Sequence, residues 1–274
     1  MKYNLAFKYR IYPNKEQELL INKTFGCVRF VYNTILYTAN KIYEETGENK
    51  IITPARLKSE NQFLKEVDSL ALSNAQLNVK RSFTNFFQKR AKFPRFKSKK
   101  NNIKSYTTNC VNNSIRIEEN KYLVLPKLKR VKLKYHREIP GNYRIKLVTL
   151  TNSNGNYYVS VLTEFEKEIQ KNPSNDKVIG LDFSMSELFI SSENQRADYP
   201  RYFRMLEKKL KKLQKSLSRK VRFSKNWYKQ KIKISKLHEY IKNCRRDFLH
   251  KLSKKLSEAY NAVELKLIEI TMRH

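Results

Sequence analysis

The first twelve residues constrain what this chain can fold into more than any other segment. Tyr3, Leu5, Phe7, Tyr9 and Ile11 alternate with Asn4, Lys8 and Arg10, the period of two that marks a half-buried strand. A strand needs a neighbour to satisfy its backbone N–H and C=O groups, yet the next segment of the chain is helical. Pro13 closes the run, and Asn14 stands where a helix N-cap belongs, with Glu16, Gln17 and Glu18 in the first turn. Leu19, Leu20, Phe25, Val28, Phe30 and Val31 then come at helical spacing, which predicts one helix from about 15 to the mid-twenties and a second to about Glu45. Gly47 interrupts, and residues 54–66 and 73–90 read as two more amphipathic helices, the latter setting Leu77, Phe83, Phe86 and Phe87 against Lys80, Arg81, Lys89 and Arg90.

The first strand can therefore find partners only beyond this helical stretch. Between residues 103 and 165 the period of two returns in Ser114–Ile117, Tyr122–Leu125, Val131–Tyr135, Arg144–Val148 and Tyr157–Leu162, with turns at Glu119-Asn120, Pro140-Gly141 and Asn154-Gly155. An antiparallel sheet or small barrel is expected, completed by the first strand, with a helical bundle over about 14–97 as an insertion. Residues 166–177 are polar with one proline and read as a linker. A second unit over 178–274 opens with Val178–Leu181 and Leu188–Ile190, two strands. It continues with Leu206, Leu210, Leu213 and Leu217, then Leu237, Ile241, Cys244, Phe248, Leu252 and Leu256, a long basic helical hairpin over about 201–260. The expected fold class is α+β.

Charge narrows the partner. Lys and Arg number 58 against 25 Asp and Glu, a formal charge of +33 that a compact body tolerates poorly unless a polyanion neutralises it. A solvated basic surface or a polybasic membrane patch is the alternative. Interleaving of 17 Tyr and 15 Phe with the cations, as in Phe83–Arg90 and Lys92–Lys97, favours stacked bases and phosphates, and so nucleic acid. Cys27, Cys110 and Cys244 form neither a disulfide framework nor a CxxC pair. The charged N-terminus does not suit a signal peptide, and no segment reaches the roughly 20 apolar residues of a membrane span. A cytoplasmic protein without membrane partners is expected.

One carboxylate stands out. Ile179-Gly-Leu-Asp182 ends an apolar strand in an acid, where ribonuclease-H-like folds hold the first ligand of a metal pair, although many such residues only bond the following turn. Two-metal phosphodiester cleavage needs several carboxylates around Mg²⁺.

At this point the residues resemble a known family. Tyr9–Gln17, Gly26–Asn33 and Phe93–Lys99 look like the N-terminal blocks of TnpB proteins, the RNA-guided endonucleases of bacterial insertion sequences. Gly180–Met185, Tyr199–Arg204, Leu213–Arg219, Ser224–Asn226, Lys236–His238 and Arg246–Ser253 match in order and spacing, so that the resemblance covers about residues 1–263. It implies a wedge-like β-barrel with an inserted helical recognition bundle, then a RuvC-type nuclease domain. It further implies a guide RNA from the transposon end, a target DNA, Mg²⁺, and Asp182 as the first of three metal-binding acids. The chain departs from the family after Tyr260–Val263, where a strand ending in Glu-Asp-Leu or Glu-Asp-Ile is replaced by Glu264–His274. Neither Glu264 nor Glu269 falls cleanly in register; Glu269 is the candidate second acid. The family's zinc ribbon and third acid have no counterpart here, so the resemblance implies no zinc in this chain. A nuclease-deficient guided binder is expected, with an active endonuclease, completed in trans or hidden by a broken frame, and a non-guided basic RNA-binding protein as alternatives. Arg29, Arg81, Arg90, Arg95, Lys97, Arg219 and Lys225 are the expected nucleic-acid contacts. Trp227 either stacks on a base or pins the hairpin connector, and His238 and His250 read as surface or phosphate contacts rather than metal ligands.

Overall fold

A computed structural model of the protein describes residues 1–100, 103–168, 177–183, 187–197 and 199–266. Two compact units divide at Glu168 and Ile169, within the expected linker, of which residues 169–176 lie outside the described residues.

The first strand, β1 (Lys2–Tyr12), lies at the centre of a sheet and not at its edge. The others are β2 (Ile103–Asn109), β3 (Arg116–Glu118), β4 (Tyr122–Leu125), β5 (Lys129–Lys134), β6 (Arg144–Ser153) and β7 (Asn156–Glu166), in the order β2-β6-β7-β1-β5-β4-β3. Every pairing is antiparallel. β1 runs against β7 from Lys2–Glu166 to Ile11–Tyr157 and against β5 from Arg10–Lys134 to Tyr12–Lys132. Its alternation is real: Phe7, Tyr9 and Ile11 are buried while Lys8 and Arg10 are exposed. The sheet is an open series with β2 and β3 at its ends, and no pairing closes it into a barrel among the described residues. An edge strand can be protected by cover as well as by closure, and a helix covers β2: Asn74 Nδ2 donates to Asn109 Oδ1 at 3.3 Å.

That helix belongs to the insertion, which holds α1 (Lys15–Thr46), α2 (Pro54–Glu60) and α3 (Ser69–Phe87). The two helices expected between 15 and 45 are one helix of 32 residues. Gly26 does not break it, because a single helical glycine costs only about 1 kcal/mol while the buried stripe Ile21, Phe25, Val28, Val31, Tyr32, Ile35, Leu36 continues through it. The stretch read as a helix over 54–66 is α2 followed by a 3-10 turn at Gln62–Lys65. Gln17 fastens α1 to the sheet. Its Oε1 accepts from the Asn14 N–H at 3.1 Å while Asn14 Oδ1 accepts from the Gln17 N–H at 2.8 Å, a reciprocal cap. Its Nε2 donates to the carbonyls of Leu128 and Arg130 at 3.1 and 2.8 Å. One buried cluster joins helices and sheet, running from Phe7 and Tyr9 through Phe25 and Leu72 to Val159 and Val161.

The second unit has a three-stranded sheet, in which β8 (Val178–Phe183) pairs antiparallel with β9 (Phe189–Ser191) and parallel with β10 (Ala262–Lys266). Between them the hairpin is formed by α4 (Tyr202–Ser218) and α5 (Lys225–Ala259). Its buried core is small: Leu210, Leu237 and Ile241, flanked by Tyr202, Leu206, Leu213 and Ile234. Buried Gln230 donates from Nε2 to the Leu213 carbonyl at 3.0 Å, tying the helices together.

One polar node sits inside the first unit. Asp68 caps α3 through Oδ1, which accepts from the Leu70 N–H at 3.0 Å, and its Oδ2 accepts from the hydroxyl of buried Thr108. Asp68→Ala removes the cap and orphans the Thr108 hydroxyl, and is expected to lower stability by about 2 kcal/mol in chemical denaturation. Burial, and secondarily the Asp68 charge, push the Tyr106 phenol well above its ordinary 10.0. Tyr106 thus keeps its proton when the unfolded chain has lost it, so its contribution is complete below pH 10 and declines as pH rises beyond. Stability measured from pH 9 to 11 is expected to fall less steeply in Tyr106→Phe than in the native protein.

Candidate nucleic-acid interface and carboxylate site

Aromatic residues at the C-terminal end of α3 turn their rings to one another and leave faces open. Phe93 meets Phe86 edge-on at 5.2 Å and Phe83 at 6.0 Å, while Phe83 and Phe87 stack at 6.4 Å and 22°. Phe87 is 63% exposed and Phe93 47%, which, clustered together, leaves apolar surface available to a partner. With Ala39, Tyr43, Ile51 and Thr84 they line a cavity of about 740 Å³, rimmed by Lys50 and Lys80 against a single Glu44. The sequence places Phe83–Arg90 and Lys92–Lys97 beside one another but gives no sign that the end of α1 supplies the opposite wall. Only the spacing of Ala39, Asn40, Tyr43 and Glu44, one helical face, could have pointed to it.

The expected cations divide into two groups. Arg81, on α3, and Arg90 and Arg95, in the segment after it, are exposed, and Arg29 is half-buried in α1. Lys97 is different. Its N–H donates to Asn33 Oδ1 at 2.8 Å, its carbonyl accepts from Asn33 Nδ2 at 3.0 Å, and its ammonium lies 4.1 Å from the centre of the Tyr32 ring. Burial of that ammonium lowers its pKa from the ordinary lysine value, even though much of the side chain is accessible. Two segments that resembled the family separately, 26–33 and 93–99, are thus pinned together by Asn33, Tyr32 and Lys97.

In the second unit, Arg219 and Lys225 are exposed at either end of the hairpin connector. Ser224 caps α5 by accepting from the Trp227 N–H at 3.1 Å. Half-buried Trp227 packs against Phe223 and Tyr228 at 5.6 and 5.1 Å, with the Lys231 ammonium 5.2 Å from its ring. All three partners lie within four residues of Trp227, so the contacts hold Phe223 of the connector against the start of α5. His238 is exposed, and His250 Nε2 accepts a long bond from Arg246 Nε at 3.4 Å.

Asp182 stands, exposed, near the end of β8. The parallel register sets Lys266 opposite it and Glu264 opposite Gly180. Glu264 is therefore two residues back along the strand, roughly 6.6 Å, and the nearest neighbour of the Asp182 carboxylate across the ladder is a cation: Lys266 Nζ lies 3.6 Å from Oδ2. Glu269 lies outside the described residues. Among the described residues, no three His, Cys, Asp or Glu side chains converge as a metal ion requires, and the donor set around Asp182 does not fit a Mg²⁺ pair.

A family profile described as "Probable transposase" (OrfB of IS605) matches residues 160–272, and one described as "Helix-turn-helix domain" matches residues 1–48. A relative from Escherichia coli (strain K12), whose name describes an RNA-guided DNA endonuclease, InsQ, is 34% identical over 280 residues, spanning 99% of this chain and 68% of the relative. One from Streptomyces pristinaespiralis, with a name of the same meaning, is 32% identical over 278 residues, spanning 98% and 67%. The chain belongs to the TnpB family. Its fold is shared with a chain in the cryo-EM structure of a Cas12f1–sgRNA–target DNA complex, at a TM-score of 0.55 and 10% identity over 99% of this chain and 82% of that one. In this TnpB-family chain, residues 1–48 are a strand and one continuous helix, not two helices joined by a turn. No described helix is long and apolar enough to cross a membrane.

Because Lys97 is already engaged by Tyr32, Lys97→Met is expected to elute from immobilised heparin at a salt concentration near that of the native protein. Arg81→Ala and Arg90→Ala, which remove exposed charges, should each elute earlier.

Proposed function

We propose that this TnpB-family chain binds a structured guide RNA and a DNA strand that pairs with it, and that these residues alone do not cut the DNA. The observation that carries the reading is the open aromatic cavity rimmed by Lys50 and Lys80, on a chain matched almost end to end by relatives named as RNA-guided DNA endonucleases. Flat apolar faces beside cations suit an unpaired base and its phosphate, with stacking worth about 1–3 kcal/mol per base. Arg29, Arg81, Arg90 and Arg95 in the first unit serve as phosphate contacts, and so, separately, do Arg219 and Lys225 in the second; Lys97 and Trp227 hold the segments beside them.

In this reading the open sheet with its insertion is the wedge and recognition module, and the second unit is RuvC-like, with the helical hairpin as a basic arm. The guide comes from the transposon end. Mg²⁺ chemistry, which the family would perform with Asp182 and further acids such as Glu269, is not supported by the donors beside Asp182. The relatives' names favour a second reading, an active endonuclease.

One experiment separates them: reconstitution with transposon-end RNA carrying a matching guide, with target binding and Mg²⁺-dependent plasmid cleavage followed together. RNA-dependent binding without cleavage is expected. Cleavage abolished by Asp182→Ala would establish the second reading, and absence of RNA-dependent binding would overturn both. In the same assay Phe87→Ala is expected to weaken RNA or DNA binding about 5- to 100-fold while leaving the helical content unchanged, since its ring is exposed.

A further inference from the structure

The place opposite Asp182 is occupied by a charge of the wrong sign for a metal ligand. β8 and β10 are parallel neighbours in unbroken register from Ala262–Val178 to Lys266–Asp182. Residues paired across such a ladder lie about 4.8 Å apart and project to the same face, so the juxtaposition is a property of the backbone and not of one lysine rotamer. It lies toward the C-terminal ends of two parallel strands, the end at which open α/β sheets bind ligands. A second carboxylate at this position would share a divalent ion with Asp182. Lys266 presents three N–H donors and no lone pair, whereas Mg²⁺ demands oxygen ligands at about 2.0–2.1 Å, and the ammonium repels the ion besides.

The pair does little else. The Lys266 and Asp182 side chains are 73% and 51% exposed and 3.6 Å apart, and ion pairs this open contribute little to stability. The other charged group on this face of the strand, Glu264, is exposed and one pleat away, beside Gly180, where it faces no second acid on β8. A lysine here has a different use, because a compact ammonium serves as a point charge for phosphate.

We infer that Lys266 takes the place of a metal-ligating carboxylate opposite Asp182 and supplies a built-in cation where a divalent ion would otherwise sit, so that this end of the sheet contacts nucleic-acid phosphate without holding catalytic metal. The inference deepens the proposed reading of a guided binder that does not cut. Its test uses no nucleic acid, so that its failure is distinct from failure of guided binding.

Mn²⁺ uptake by the purified protein is measured by electron paramagnetic resonance, through loss of the free-ion signal, for the native protein, Asp182→Asn, Lys266→Glu, Lys266→Met and Lys266→Glu combined with Asp182→Asn. The native protein is expected to take up no Mn²⁺ in an Asp182-dependent manner at millimolar concentration. Lys266→Glu should gain affinity by about tenfold or more, Lys266→Met should gain much less, and the double variant should lose the gain. Both side chains are exposed, so the variants should fold, which circular dichroism checks. Asp182-dependent uptake by the native protein, or no gain in Lys266→Glu, would overturn the inference.

Discussion

The ladder between β1 and β7 holds the first unit together. It joins the first dozen residues to a strand that begins at Asn156, so the whole helical insertion and five other strands lie between the two partners in sequence. Closing so long a loop has an entropic cost that grows only slowly with length, and what offsets it is burial: Phe7, Tyr9 and Ile11 on β1 meet Val159 and Val161 of β7 and the helices within one core. A central strand hydrogen-bonds on both sides, and β5 takes the other side of β1 at its end. The insertion is consequently anchored at one end by Gln17 on the β5 side of the sheet and at the other by Asp68 and Asn74 on β2.

Much of this was legible locally and little of it globally. Alternation announced β1, and Pro13 with Asn14 announced the start of α1, because strand period and capping chemistry are written in neighbouring residues. Strand order was not legible, since nothing local distinguishes β5 from β6 as a partner of β1. The continuity of α1 through the mid-twenties was not legible either: the local cost of Gly26 is small beside the burial of the stripe on either side, and that burial is set by α3 and the sheet. At the candidate site, Asp182 was readable as an acid at a strand's end, and the aromatic and basic run 83–97 as a surface for bases and phosphates. Register between strands some eighty residues apart was not readable, so Glu264 and Glu269 drew attention while Lys266 drew none.

Charge organises the second unit more than packing does. Beyond the few buried residues of the hairpin, α4 and α5 present lysine and arginine, relieved by spaced pairs such as Glu207–Lys211, Asp247–Lys251 and Lys254–Glu258. Exposed pairs of this kind are worth about 0.3–0.5 kcal/mol each, too little to offset the repulsion along a surface so rich in one sign. Even if every acid in the chain were paired, 33 positive charges would remain without one. A polyanion bound to this surface would offset that repulsion, since a ligand that binds only the folded state stabilises it by mass action.

The same balance bears on the carboxylate site. In a field this positive, an isolated Asp182 needs no metal to be accommodated, because cations are abundant and one of them lies across the ladder. A divalent ion, by contrast, must overcome that field before it can be held, and only a cluster of acids lowers the local potential enough to admit it. On the proposed reading, a lysine in the facing position leaves the strand and its Asp in place while favouring phosphate over a metal ion there.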